Sequence, residues 1–464
     1  MNLHLALLLA YAALMVGIGL FIGRRVKSAG DFFVAGRKLG PGLLFSTMVA
    51  ANIGAGSTVG AAGLGYRDGL SAWWWVGSAA IGSLVLGFTV GPRIWRIARD
   101  RDLRTVGDFL EHRYGRSVRT VIAVLLWLGT LAILAGQLIA LSWVLNVVAG
   151  VPKPVGCAVG GLIVIVYFTA GGLLTSAWVN LVQVIVKLFG FGVALPLALS
   201  RAGGLAGMHA ATPGGDYWSP WHGGASGWNY LALLAPAFIV SPGLLQKVYG
   251  ARDDRTVRIG VTGNAIVLLA FACVPPLIGM AARALHPGLP SHELALPTVL
   301  MRDLPPLLGS LGLAAVVSAE ASSADAILFM LATSLSQDLY RALLRPAATD
   351  AEILRVARVT AVVAGALGVG LAIVSPTVIG ALSVFYVLLG VSLFVPVVAG
   401  LYLRRAGTPE ALAAIAAGVA VMLAVQLATG GRGFGVVTPA LAGLIASAAG
   451  CLLVLALRRQ RAGL

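Results

Sequence analysis

Thirteen runs along this chain are apolar for about 20 residues each, the length a helix needs to cross the hydrocarbon of a bilayer. They lie near 4–22, 42–66, 71–91, 118–149, 154–170, 175–200, 229–249, 257–284, 306–335, 355–374, 377–402, 410–428 and 434–457. Lipid offers no hydrogen-bond partner to a sheet edge, so every run predicts a helix and the chain an all-α polytopic membrane protein. Hydrophobic residues make up 59% of the 464 positions and charged ones 11%. A soluble chain carries about 25% charge, and one this apolar would expose adhesive patches and aggregate. The 60 glycines suit helices that pack backbone against backbone in lipid.

The net charge of +16 does not point to nucleic acid, because the basic residues sit in the segments between apolar runs. Placing the N-terminus outside puts 26 Lys and Arg residues on the inner side and six on the outer, with Lys187 left inside span 6. That bias predicts an outer N-terminus, a cytoplasmic C-terminus and a plasma (inner) membrane location. The first apolar run is followed, not preceded, by basic residues (Arg24, Arg25, Lys27), the reverse of a cleaved signal peptide. Cys157, Cys273 and Cys451 have no ligand spacing and read as packing residues. In the basic inner linker 97–117, Thr105-Val-Gly-Asp108 predicts a capped short helix lying at the interface. The outer segment 201–228 carries Trp218, Trp221 and Trp228, read as interface anchors or as part of a lid.

Two helices are interrupted. Span 2 holds Ala50-Ala-Asn-Ile-Gly-Ala-Gly-Ser-Thr58 near its centre, where two glycines weaken the helix and three polar side chains reach bilayer depth. Span 7 holds Pro236 and then Ser241-Pro-Gly243. The two lie five spans apart and run in opposite directions, which suggests inverted five-helix repeats with a transport site at the midplane; packing kinks are the plainer alternative. In span 9, Ser322 and Ser323 share a helix face with Ala319. Two hydroxyls and a carbonyl there, with two carbonyls from the break in span 2, would make a five-oxygen cage for Na⁺. The alternative is that both serines bond back to their own helix.

At these residues the chain resembles the sodium:solute symporter family. The resemblance is carried by Ala35-Gly-Arg-Lys-Leu-Gly40, Ala50-Ala-Asn-Ile53, Gly65-Tyr66, Thr105-Val-Gly-Asp-Phe-Leu-Glu-His-Arg-Tyr-Gly115, Tyr167-Phe-Thr-Ala-Gly-Gly172, Gln183, Ser322-Ser-Ala-Asp325 and Asp338-Leu-Tyr340. It implies a LeuT-type fold of thirteen transmembrane helices: a first span and inner loop (1–40), one five-helix repeat (41–200), an outer loop (201–228), a second repeat (229–405) and two final spans (406–464). It implies Na⁺-coupled symport of a small organic solute by alternating access, with no enzymatic activity and no cofactor besides the ion. By position, the sodium ligands are the carbonyls of Ala50, Ile53 and Ala319 and the hydroxyls of Ser322 and Ser323. The solute would lie at Asn52, Gly56 and Ser57, with Trp74, Gln137 and Tyr386 as further walls.

The chain departs from that family in three places. Asn180 stands where an Asp is usual, Lys187 follows near the same helical face, and Glu320 stands beside the serines where an apolar residue is usual. Asp325 is a further acid in span 9. An ionisable residue in a membrane helix is a functional candidate with a partner to be named, and the expected partnership is Lys187 with Glu320. Three readings follow: a structural pair, an ammonium that replaces sodium, or a proton site at Glu320 that makes the carrier proton-coupled. A transporter-like membrane sensor is the rival class, but only about seven residues follow the last span. The partners expected are therefore a small solute, Na⁺ or H⁺ and the lipid bilayer, and not nucleic acid.

Overall fold

The computed structural model describes residues 3–23, 37–169, 173–212, 214–221 and 225–462. Arg24, Arg25, Lys27, Ala35 and Gly36 lie outside the described residues, as do Ala170, Gly171 and Gly172. The first span is α1 (Leu3–Gly23). Span 2 divides into α2 (Pro41–Asn52) and α3 (Ala61–Asp68), the latter led in by a wide turn at Gly56–Gly60. Then come α4 (Trp73–Val85), α5 (Gly91–Asp100), α6 (Val106–Tyr114), α7 (Arg116–Ala149), α8 (Lys153–Thr169) and α9 (Leu173–Arg201). Span 7 becomes α10 (Ala225–Val240) and α11 (Pro242–Tyr249), and span 8 becomes α12 (Asp254–Phe271) and α13 (Val274–Leu285). A short α14 (Ala295–Arg302) precedes α15 (Pro306–Thr333), which runs on as a wider helix through Ser334–Leu344. The chain ends with α16 (Asp350–Val374), α17 (Val378–Leu389), α18 (Val395–Tyr402), α19 (Thr408–Thr429) and α20 (Pro439–Ala462).

Ten helices among the described residues are long and apolar enough to cross a membrane, and two shorter apolar ones lie at Leu3–Met15 and Lys153–Val166. The protein is all-helical, multi-pass and built for lipid. Both predicted interruptions are present. Ile53 leaves helical geometry (φ −93°, ψ 93°), and so does Ser241 (φ −52°, ψ 121°). Pro236, by contrast, sits inside a continuous α10, so the second break comes from Ser241-Pro-Gly alone. The outer helix α14 was not legible in the sequence, since its eight residues are too few to show a period.

Two groups of helices pack internally. In one, α2 lies on α12, α3 on α13 and α4 on both α10 and α12. The α3–α13 crossing is set by glycine on each side: a Cβ on Gly65 would strike the backbone of Pro276, and one on Gly279 the carbonyl of Ala62. In the other group, α7 packs against α8, α15 and α16. Helix α9 lies between them, touching α15, α2 and α13.

The short helix α6 packs its apolar face against the protein. Thr105 and Asp108 form the expected capping box, but Phe109, Leu110 and Tyr114 are buried beneath the bundle. The helix is held there by Arg119 of α7, whose guanidinium meets Asp108 (2.9 Å), Asp338 (2.8 Å) and Glu111, and donates to the Gln337 carbonyl (3.0 Å). Thr105 Oγ1 donates to Asp338 Oδ1 at 2.6 Å. Cys273, read from the sequence as a packing residue, is exposed, while Cys157 and Cys451 are buried. His286 Nε2 lies 2.8 Å from Asp303 Oδ2.

Glu293 is buried and accepts hydrogen bonds from Trp143 Nε1 (2.7 Å) and from the Val378 backbone N–H, tying α7 to the start of α17. Burial pushes its carboxyl above the usual range, and the two donors oppose that shift.

Two predictions follow from these anchors. Arg119→Ala strands a buried Asp338 and is expected to destabilise the protein by about 3–5 kcal/mol, read as a lower melting temperature in detergent; an unchanged melting point would deny the cluster a structural role. The raised value at Glu293 means that its protonated form favours the fold. Its contribution is therefore full below the ordinary carboxylate range and is lost as pH rises through the raised value. Glu293→Gln should flatten that part of the stability–pH curve, measured by thermal unfolding from mildly acidic to neutral pH.

Candidate functional site

At the first break the chain runs extended through Ile53 before the helix resumes, so the carbonyls of Ala50 and Ile53 and the N–H groups of Gly54 and Ala55 are left to side chains. In lipid these groups must be satisfied by side chains. Ala55 N–H donates to Gln137 Oε1 of α7 at 2.9 Å, and Gly54 N–H to Ser57 Oγ at 3.0 Å. Ser322 Oγ lies 2.9 Å from the Ala50 carbonyl and 3.1 Å from that of Ala319. Ser323 Oγ lies 3.2 Å from the Ala50 carbonyl and 3.3 Å from that of Ile53. The five oxygens named from the sequence thus come together where α2 meets α15.

The structure also places a cation there. Lys187 of α9 is fully buried, and its Nζ donates to the Ala50 carbonyl (3.0 Å), the Ile53 carbonyl (3.1 Å) and Ser322 Oγ (2.6 Å). An ammonium has three donors, and all three are used inside the cage. The expected direct Lys187–Glu320 pair is therefore not formed: Glu320 turns instead to Thr58, whose Oγ1 is 2.6 Å from Oε1. The reason is reach. Glu320 adjoins Ala319 on α15 but points toward the wide turn after the break, whereas the lysine meets the carbonyls on the other side. Asp325, also on α15, supplies an opposite charge to buried Lys247 of α11. Asn180 Nδ2 reaches Thr47 Oγ1 of α2 at 3.4 Å.

Beside the cage is a cavity of about 780 Å³, including its open mouth. Asn52, Gly56, Ser57, Gln137 and Tyr386 line it, as expected from the sequence. Trp74 does not. Its indole donates to the Pro220 carbonyl (3.0 Å) and packs tilted on Trp221 (ring centroids 4.6 Å apart), so it holds the loop that precedes α10. Trp75, one position on and turned by about 100° around the helix, faces the cavity instead. Its ring meets Tyr230 at 5.4 Å and Tyr386 at 6.0 Å, and Phe238 packs on Tyr386 at 5.6 Å. Sequence reasoning missed Trp75 because three consecutive tryptophans give no phase. Trp221 joins the loop to α4, while Trp218 stacks on His209 within the loop itself.

Residues 32–418 match the family profile described as the sodium:solute symporter family. The chain belongs to that family. Among curated symporters it is 29% identical to the sodium/pantothenate symporter of Escherichia coli (strain K12) over 442 residues, covering 89% of this chain and 88% of the other. It is 25% identical to the sodium/glucose cotransporter of Vibrio parahaemolyticus, covering 76% and 72%. It is also 25% identical to the human high affinity choline transporter 1, covering 89% and 75%. The fold is that of a solved Na⁺-coupled sialic acid symporter in its substrate-bound, outward-open state (TM-score 0.83, 18% identity, 98% of both chains). It is shared more distantly with MhsT in complex with L-phenylalanine (TM-score 0.55, 16% identity, 89% and 97%), and the architecture is LeuT-like. Like its symporter relatives, this member is not an enzyme.

Gly54 sets the distance between the break and α15: a Cβ there would overlap Ser323 Oγ and lie 2.8 Å from Gln137 Oε1. Gly54→Ala is expected to cost about 1–3 kcal/mol by overpacking. It should also abolish transport, checked by melting temperature and uptake on the same preparation; full activity would show that the close approach is dispensable.

Proposed function

We propose that this chain is a secondary active carrier that moves a small organic solute across a plasma (inner) membrane by alternating access. In this reading the chain crosses thirteen times, from an outer N-terminus to a cytoplasmic C-terminus. Its repeats are 41–200 and 229–405, flanked by the first span and inner loop (1–40), the outer loop (201–228) and two final spans (406–464). The observation that carries the reading is the cavity at the two helix breaks, enclosed between the two packed helix groups. Helices α2, α3, α4 and α10 to α13 would rock against α7, α8, α15 and α16, exposing the cavity to one side and then the other.

The lining argues for a solute with a flat or apolar body and a few oxygen acceptors. Trp75, Phe238 and Tyr386 present ring faces and edges. Gln137 spends its carbonyl oxygen on Ala55, which leaves its NH₂ donors for another partner. Relatives are named for pantothenate, glucose and choline, an acid, a sugar and a cation, so kinship alone does not choose among solutes.

Membership in a family named for sodium supports Na⁺ as the coupling ion. A second reading, a sodium-independent or proton-coupled carrier, is favoured by one specific observation, the Lys187 ammonium inside the cage.

The carrier reading is tested by uptake of a metabolite panel into proteoliposomes. Once a solute is found, Trp75→Ala and Tyr386→Ala should each raise its half-saturation by about tenfold or more, through lost apolar contact. Trp74→Ala should change it little. Wild-type half-saturation in both cavity variants would place the solute elsewhere.

A further inference from the structure

Three features of the cage bear on one another. The ammonium of Lys187 meets three of the five cage oxygens at 2.6–3.1 Å, so its donors are fully matched to acceptors. It is held by groups from two helices, α2 and α15, while its own backbone belongs to a third, α9. Glu320 adjoins Ala319 on α15 and binds Thr58 across the break. A buried charge in a membrane helix is costly unless it is paired. Lysine and glutamate together bring one positive and one negative charge, so they make sense as a joint change.

We propose that the Lys187 ammonium is a tethered substitute for sodium: it occupies the cation cage formed by Ala50, Ile53, Ala319, Ser322 and Ser323, with Glu320 as its counter-charge, so that Na⁺ neither binds this cage nor is needed there for transport.

The physics is short. Sodium and ammonium carry the same charge and both take oxygen ligands. A sodium ion shared between the Ala50 and Ile53 carbonyls would lie within a few ångströms of Nζ, where two like charges in a low dielectric repel strongly. The cage therefore holds one cation, and the tethered one cannot diffuse away. What a mobile ion would do by binding, joining the broken helix α2 to α15, the lysine does from within the chain.

The inference bears on the ion and not on the solute, so it is tested without one. Binding of ²²Na⁺ is measured on purified protein in nanodiscs, and a failed solute assay leaves the result untouched. Wild type should show no saturable Na⁺ binding. Lys187→Ala should gain it, and adding Ser322→Ala with Ser323→Ala should weaken the gained site by about tenfold or more. Lys187→Gln, which keeps most of the volume and loses the charge, provides the second variant should Lys187→Ala not fold, and is also expected to gain binding. Saturable Na⁺ binding to wild type that the double serine variant removes would overturn the proposal, whatever the lysine variants do. Folded Lys187 variants that bind no Na⁺ would overturn it as well, because the ammonium would then not be standing in a sodium position.

Discussion

A helix broken inside a bilayer leaves backbone groups that lipid cannot satisfy, and much of this site is arranged around that constraint. At Ile53 the chain leaves helical geometry and releases the carbonyls of Ala50 and Ile53 and the N–H groups of Gly54 and Ala55. Gln137 reaches in from α7, Ser322 and Ser323 from α15 and Lys187 from α9, while Ser57 closes the turn locally. Each partner comes from a helix on which other contacts depend, so the break fixes the mutual placement of all four. The cavity lined by Asn52, Gly56 and Ser57 adjoins the same break.

Charge inside the fold obeys one rule. Lys187 has its oxygens and Glu320 nearby, Lys247 has Asp325, and Arg119 has Asp108, Glu111 and Asp338. The Arg119 cluster joins α6, α7 and the wide helical continuation of α15, and holds the short helix against the protein. The Lys187 cluster does the corresponding work at the break. There the ammonium lies among the carbonyls of Ala50 and Ile53, while the acid one residue from Ala319 turns to Thr58.

Much of this was legible in the sequence. Runs of about 20 apolar residues predict an all-helical membrane protein, and Gly and Pro mark the interruptions at 53–55 and at Ser241. The spacing of Ala319, Ser322 and Ser323 fixes a shared helix face before any tertiary contact is known, and the cage oxygens are the ones that spacing picked out. Ionisable residues at bilayer depth announced themselves in the same way.

What the tertiary structure decided was direction. A sequence gives the position of Lys187 along α9 but not which neighbour lies within the reach of its four methylenes; packing of α9 against both α2 and α15 aimed the ammonium at the carbonyls and turned Glu320 toward Thr58. The same holds for Trp74 and Trp75, adjacent in the chain and about 100° apart around the helix, a phase that only the docking of α4 on α10 could set. Apolar length and helix-breaking residues are local properties, fixed by the chain's own chemistry. The partner that satisfies a freed backbone group is set by which helix happens to lie alongside, and that is a property of the whole fold.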